Sequence, residues 1–446
     1  MVTEGLKQSC QKLAKLRDKE RYAGIPTVSD IQNKARDILQ GYITDDIATA
    51  HILKVAKAYR SELKALRRLA LDKNHKAARG KVYRLLNSMA ARTCAVLLSQ
   101  KTGKEIAGLP DLQSRAFKLD CRKPSGEYVR SWPQAKSSGG WRPLSKFGPT
   151  ARGCQRLVLD ILRAWMGDSP FEFARKGRGR DKAIKNVLER IRNGGARWFI
   201  TADIKDFFRH IDPKGLGRII PLPRAVIENV IAIPLETYIH THDVDHIGLE
   251  FAVRQGIPQG SLVSPFIAAK VIEAVLQSIP ARVSMSYIDN LLLGWKTKQE
   301  AQTMKQALAQ MLSGQPFGPL LLRDVSIFKL GRPNDYLGYR IHRRWPTQGG
   351  YAYAHPAPSS FDKMIWTLRA RLETVDDEGE LLNAATDYLA AWLGSQGAWE
   401  RNAYAEGLVM DFAEIEAANE HSRRHPYVPP ALKSVEEILS VLMQPH

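Results

Sequence analysis

Two aspartates stand at the ends of short apolar runs. In RWFITADIKDFF, Asp203 closes one run; in SMSYIDNLLLGW, Asp289 sits in a tight turn between apolar flanks. They lie far apart in the chain, but adjacent strands would bring them together. Two carboxylates at one spot repel each other unless cations share them. Mg²⁺ is held by one or two carboxylates plus substrate phosphates. Two such ions about 3.5–4 Å apart activate an attacking hydroxyl and stabilise a leaving oxygen, the chemistry of nucleotidyl transfer. Asn290, next to Asp289, is an amide where a second acid would strengthen that site. It can still coordinate through its carbonyl oxygen. Taken singly, either aspartate reads as a cap or turn residue; the segment between them changes the balance.

That segment is RQGIPQGSLVSPFIAAKVI, residues 254 to 272. Gly256 and Gly260 permit close backbone approach, and Gln259 offers an amide to a sugar or base. Pro265 suits the first turn of the helix that follows. A second cluster, HTHDVDH at residues 240 to 246, holds three histidines and two aspartates. Its flanks lack the spacing of a structural zinc site, so it reads as an exposed polar loop.

The elements that must position these groups alternate. TDDIATAHILKVAKAYRSELKALRRLALD has helical spacing, with Thr44 as an N-cap and acids in its first turn. KVYRLLNSMAARTCAVLLSQ reads as a further helix. Lys54, Lys57, Arg60, Lys64, Arg67, Arg68, Lys76 and Arg79 crowd the polar faces, a surface suited to phosphate or simply to water. Residues 116 to 150 are rich in Gly, Pro and Ser and read as strands and turns. Residues 154 to 193 read as two helices around the basic loop ARKGRGRDKA. RWFITADI and VSMSYIDNLLLGW are short apolar strands among helical stretches, which makes the core α+β or α/β. Helical patterns return beyond residue 360, and HSRRHPYVPP begins a surface tail.

Composition narrows the class of partner. Of 446 residues, 66 are Lys or Arg and 46 Asp or Glu, a net charge of +20. That excess attracts a polyanion, nucleic acid before an anionic membrane surface. No run of 18 apolar residues is present, so no transmembrane helix is expected, and the first residues lack the apolar core of a signal peptide. Cys10, Cys94, Cys121 and Cys154 show no CxxC spacing and read as free thiols of a reducing cytosol; the expected location is cytoplasmic.

Together these motifs resemble those of reverse transcriptases. FITADIKDFF is similar to their motif A, GIPQGSLVSP to motif B, and YIDN to a variant of the Tyr-x-Asp-Asp of motif C. DYLGYRIHR, residues 335 to 343, is similar to the Leu-Gly element at the palm–thumb junction. The order is the family's, and the resemblance covers residues 120 to 400. It implies an α+β right-hand polymerase, with an RRM-like antiparallel palm and a helical N-terminal extension. The corresponding segments are 1–115 for the basic helical extension, 116–200 for fingers, 201–345 for the palm with motifs A, B and C, and 346–446 for a helical thumb and tail. The style is closest to bacterial enzymes akin to group II intron and retron reverse transcriptases, in particular the defence-associated (abortive-infection or unknown-group) branch. No integrase, RNase H or HNH-type segment is read.

The resemblance also assigns roles. Asp203, Asp289 and the backbone carbonyl of Ile204 would hold two Mg²⁺ ions, with Mn²⁺ as a substitute, and Asn290 would complete the catalytic group. Phe208 would block a 2′-hydroxyl and select dNTPs. Gln259 and Gly260 would meet the incoming nucleotide, and Arg142 its triphosphate, with Arg152 and Lys146 as weaker candidates. Lys329 falls where some polymerases place a general acid. The implied function is RNA-directed DNA synthesis, making cDNA from a dedicated noncoding RNA in bacterial antiphage defence. The implied partners are an RNA template, a DNA product and dNTPs, with no membrane; homo-oligomerisation is left open. Three alternatives stay open: a retron- or intron-associated reverse transcriptase, a non-catalytic RNA-binding protein with a degenerate palm, and an untemplated or protein-primed DNA polymerase.

Overall fold

The computed structural model describes residues 21–39, 46–100, 106, 108–136, 139–175, 177–241, 246–330, 334–344, 351–372 and 378–399. Thr44, Cys10, most of the HTHDVDH cluster and the C-terminal tail lie outside them. The chain divides into two compact units that interleave in sequence. The first takes residues 1–170, 204–278 and 309–321; the second takes 171–203, 279–308 and 322–446.

Among the described residues of the first unit, five helices come first: α1 (Val28–Ile38), α2 (Asp46–Leu71), α3 (His75–Asn87), α4 (Met89–Ser99) and α5 (Leu109–Lys118). Their starts are written in the sequence. Thr27 and Asp30 form a capping box on α1, while Asn74 caps α3 and Ser88 caps α4. A hairpin follows, β1 (Val129–Ala135) and β2 (Trp141–Lys146), then α6 (Pro149–Met166). Glu127 accepts from the Thr150 and Ala151 amides at 3.0 and 2.9 Å, meeting the positive end of α6. A buried polar knot ties α2 to α6: the Tyr59 hydroxyl donates to Asp160 at 3.0 Å, and Arg156 donates to the same oxygen at 2.9 Å. The chain then enters the second unit with α7 (Arg180–Gly194) and β3 (Trp198–Ile204), and returns to the first with β4 (Ile239–Thr241), α8 (His246–Arg254) and α9 (Ser264–Leu276). β4 runs parallel to β1 at the edge of the small sheet β2-β1-β4. Pro265 stands in the first turn of α9, as expected.

The second unit is built on a four-stranded sheet ordered β5-β6-β3-β7, where β5 is Val283–Tyr287, β6 Asn290–Trp295 and β7 Leu322–Lys329. β6 is antiparallel to both of its neighbours. Its LLL run is fully buried, so it reads as a continuous apolar strand rather than an alternating one. The helix α10 (Lys298–Ser313) links β6 to β7. A second small sheet, β8 (Asp335–Tyr336), β9 (Tyr339–Arg344) and β10 (Tyr351–Pro356), and the apolar side of α7 share one core with the large sheet, through Ile184, Val187, Phe199, Met285, Tyr339 and Ala354 among others. α11 (Pro358–Leu372) and α12 (Glu378–Gly394) pair through Met364, Leu368, Ala385 and Leu389. This is the mixed α+β organisation expected, with the motif A and motif C strands side by side.

The basic helices divide their cations between two tasks. Arg60 donates to the Pro26 carbonyl at 2.7 Å, Arg67 to that of Arg21 at 3.2 Å, and the Lys64 ammonium lies 4.4 Å from the centre of the Tyr22 ring. These three hold residues 21–26 against α2. Lys54, Lys57, Arg68, Lys76 and Arg79 are exposed.

Candidate active site

β3 and β6 align so that Asp203 stands directly opposite Asn290. Asp289 precedes Asn290 in the turn, so the two acids meet at one end of the sheet. Burial first, and then the charge of Asp289, pushes the Asp203 carboxyl above its ordinary value, while Arg323 works the other way. Arg323, on β7, donates to Asp203 Oδ1 at 2.8 Å. The Asn290 amide donates to Asp289 Oδ1 at 3.1 Å. Ile204 follows Asp203 in the chain and its side chain is fully buried, which fixes the end of β3. The sequence-derived trio Asp203, Asp289 and Asn290 is therefore brought together.

The turn that carries Asp289 has its own support. Ile288 is at φ +60°, a conformation that glycine takes freely and a β-branched residue rarely adopts. The Ile288 amide donates to both carboxylate oxygens of Glu172 at 3.2 Å, and the Ser286 hydroxyl donates to Glu172 Oε2 at 3.1 Å. Burial pushes the Glu172 carboxyl above its ordinary value, and these donors pull it back. On the other side, the Tyr336 hydroxyl donates to the Asn290 carbonyl at 3.3 Å. Sequence reasoning missed Glu172, Arg323 and Tyr336. Nothing in FEFARKGRGR marks Glu172, because its partners on the turn, Ser286 and Ile288, lie more than a hundred residues downstream.

Apart from Lys329, which is in the second unit, the remaining sequence-derived residues belong to the first unit and centre on the GIPQG segment. Gly256, at φ +66°, lies so close to the Phe208 carbonyl that no Cβ would fit, and the Ile257 amide donates to that carbonyl at 2.9 Å. Gly260, at φ +108°, is pressed equally hard on the Ser145 carbonyl, and the Ser145 amide donates to the Gln259 carbonyl at 2.8 Å. The segment is thus pinned between Phe208 and β2, with Gln259 half-buried between the two anchor points. Phe208 is partly exposed, edge-on to the buried Phe207 at 5.8 Å between centroids. Three residues before Ser145 on β2, Arg142 is exposed and donates to Gln134 across the hairpin at 2.7 Å. Lys146 is exposed opposite Arg130, Arg152 lies in the first turns of α6, and Lys329 ends β7. A pair not expected from sequence is Lys136 with Asp206, 3.0 Å apart; Asp206 is in the left-handed region at φ +44°.

Among the described residues no group of three or more His, Cys, Asp or Glu forms a metal-binding cluster, and no helix is long and apolar enough to cross a membrane. Cys94, Cys121 and Cys154 are buried free thiols.

Residues 133–316 match the family described as reverse transcriptase (RNA-dependent DNA polymerase). The match runs from β1 to just past α10 and contains the acids of both strands and the whole GIPQG segment. This stretch, less than half of the chain, is thus similar to reverse transcriptases, whose right-hand polymerase fold agrees with the α+β organisation described above and whose members work with divalent metal ions. The chain is also similar to the COX1/OXI3 intron 1 protein of Saccharomyces cerevisiae, at 29% identity over 187 residues. That alignment covers 40% of this chain and 20% of the yeast protein, so the chain spans only a fifth of that relative.

Proposed function

We propose that this protein is an RNA-directed DNA polymerase that copies an RNA template into cDNA from dNTPs. The observation that carries the reading is the alignment of Asp203 with Asn290 on adjacent antiparallel strands, with Asp289 in the turn before Asn290, inside the stretch similar to reverse transcriptases. On this reading residues 116–200 act as fingers, 201–345 as palm and 346–446 as thumb.

The donor set suits hard divalent cations. It consists of carboxylate and carbonyl oxygens; burial first, and then the charge of Asp289, raises the Asp203 carboxyl against the pull of Arg323, and a divalent cation would relieve the repulsion between the two acids. Asp203, Asp289 and the Ile204 carbonyl would hold two Mg²⁺ ions, with Mn²⁺ able to replace them. When bound, such ions lower the cost of ionising the primer hydroxyl and of releasing pyrophosphate. The chain's own residues do the rest. On this reading Phe208 would block a 2′-hydroxyl, so that deoxynucleotides are preferred. Gln259 would present its amide to the nucleotide, with Gly260 beside it anchored against the Ser145 carbonyl. Arg142, held by Gln134, offers a guanidinium to the triphosphate. Substitution of Asp203 or Asp289 by Ala should abolish dNTP incorporation on a primed RNA template while far-UV circular dichroism stays unchanged. Robust synthesis by the Asp203→Ala protein would end the assignment.

The exposed cations of α2 and α3 support an RNA contact outside the palm, and with it a dedicated, folded noncoding RNA as template. A role in bacterial antiphage defence extends the motif resemblance. The second reading, an intron-associated reverse transcriptase, is favoured by the similarity to the yeast intron protein. Sequencing the nucleic acid that co-purifies with the protein separates the two: intron sequence supports the second, a discrete noncoding RNA the first.

A further inference from the structure

The turn between β5 and β6 is costly to hold. A two-residue hairpin loop with positive φ at its first position normally carries glycine there. Here that position is Ile288, at φ +60°. Strain of this kind persists only where the surroundings over-determine it. Glu172 supplies the constraint. It is 5% exposed, and its backbone neighbours bracket β5: the Ser286 amide donates to the Phe171 carbonyl at 2.9 Å, and the Phe173 amide to the Ser286 carbonyl at 3.1 Å. The backbone at Glu172 is therefore fixed alongside β5. Both carboxylate oxygens face donors, the Ile288 amide at 3.2 Å from each and the Ser286 hydroxyl at 3.1 Å from one; the Ala174 amide also donates to Oε1. A carboxylate can accept all of these at once. A glutamine cannot, because its NH₂ would point at a donor.

We propose that Glu172 is a positioning residue of the polymerase site: its buried carboxylate clamps the Ile288 amide and so fixes the turn from which Asp289 projects. This rests on the polymerase reading for its catalytic meaning, but the clamp itself does not. Glu172 does not compete with Asp203 and Asp289 for cations, since both of its oxygens are engaged by the strand and turn behind them.

The test combines two measurements on the full chain. Hydrogen exchange of a peptide spanning residues 284–295 should be about 10-fold faster or more in Glu172→Gln than in wild type, with exchange elsewhere unchanged. Primer extension on an RNA template should show kcat reduced roughly 20-fold or more, with the KM for dNTP moved by less than about 3-fold, the pattern of a lost transition-state alignment. Adding Ile288→Gly to Glu172→Gln relieves the strained position and should restore kcat to within about 5-fold of wild type, whereas Ile288→Val should not. Ser286→Ala removes one donor and leaves the carboxylate in place. It should shift both readouts in the same direction by a smaller factor, and it keeps the test decisive if the glutamine variant does not fold. Wild-type exchange and wild-type kcat in Glu172→Gln overturn the proposal. So does a loss of kcat that Ile288→Gly leaves untouched, which would make Glu172 a core residue only. If wild type makes no DNA while exchange still rises in Glu172→Gln, the polymerase reading falls and the clamp stands.

Discussion

Asn290→Asp adds a third carboxylate to a place that already holds two. In the absence of divalent ions, two penalties follow. The Asn290 amide loses its 3.1 Å bond to Asp289, and a hydrogen bond to a charged acceptor contributes about 1.5–3 kcal/mol. A new negative charge then faces Asp203 across the strand pair. Two like charges about 5 Å apart repel by roughly 3 kcal/mol at an effective dielectric near 20. Partial exposure of both groups reduces this to about 1 kcal/mol, and Arg323, which donates to Asp203 at 2.8 Å, offsets part of the remainder. The metal-free variant should therefore be less stable than wild type by about 2 kcal/mol, or roughly 4–8 °C in Tm for a unit of this size. Divalent ions should reverse the order. A third acid binds an ion more tightly, and each 10-fold gain in affinity adds about 1.4 kcal/mol once the site is saturated.

The assay is thermal unfolding of both proteins in excess chelator and again in excess Mg²⁺, with primer extension alongside. The expected pattern is a lower Tm for Asn290→Asp in chelator, a larger Mg²⁺-induced rise than in wild type, and activity equal to or above wild type in Mg²⁺. Equal Tm values in chelator together with equal Mg²⁺ shifts would refute the reasoning, because Asn290 would then lie outside the field of the two aspartates.

The other expectations can be stated briefly. Phe208→Ala should raise rNTP use relative to dNTP by about 10- to 100-fold; an unchanged ratio in competition incorporation, in protein that still polymerises, would reduce Phe208 to packing. Reversing charge at Lys76, Arg79 and Arg84, all exposed on α3, should weaken RNA binding several-fold and flatten its salt dependence, while extension of a short pre-annealed primer–template suffers less; identical filter-binding curves would return this face to solvent. Burial first, and then His342, pushes the His355 imidazole down to about 3. The unfolded chain binds that proton near pH 6.5, so the native state holds its full stability above pH 6.5 and loses about 1.4 kcal/mol per unit as pH falls from there toward 3. Thermal unfolding between pH 7.5 and 5 should show this loss, and His355→Phe should flatten it.

The residues legible in the sequence were those with a local signature. Apolar runs ending in Asp203 and flanking Asp289 marked two strands; their register was not legible, because Leu291, Leu292 and Leu293 are buried on both faces and carry no alternation. Pro265 marked the start of a helix, and the glycines of GIPQG marked close approaches that the structure locates at Phe208 and Ser145. What stayed hidden depends on contacts between distant segments. Helical spacing puts Arg60 and Arg67 on a polar face, but it does not reveal that residues 21–26 fold back to take their hydrogen bonds. An isoleucine at position 288 signals strand, not a left-handed turn, and only the Glu172 carboxylate explains why the turn tolerates it.

The amide at Asn290 and the guanidinium of Arg323 answer the same electrostatic problem. Two partly buried acids side by side raise the free energy of the folded chain whenever no cation is bound. Three would raise it further. With asparagine at 290, one negative charge is absent and its amide hydrogen serves Asp289; with Arg323 on β7, one positive charge is supplied directly to Asp203. The sheet can therefore form without metal. On the proposed reading Arg323 must release Asp203 when a cation takes its oxygens. It does not then lose all pairing, because its Nε already lies 3.0 Å from the exposed carboxylate of Asp324. The release costs little, since the Arg323 side chain is about half exposed, at 47%, and water replaces what Asp203 gives up. A third acid at position 290 would bind cations more strongly but would leave the metal-free fold less stable, by roughly 2 kcal/mol. On the proposed reading the Asn–Arg arrangement would trade some of that affinity for a turn and strand pair already in place before ions bind.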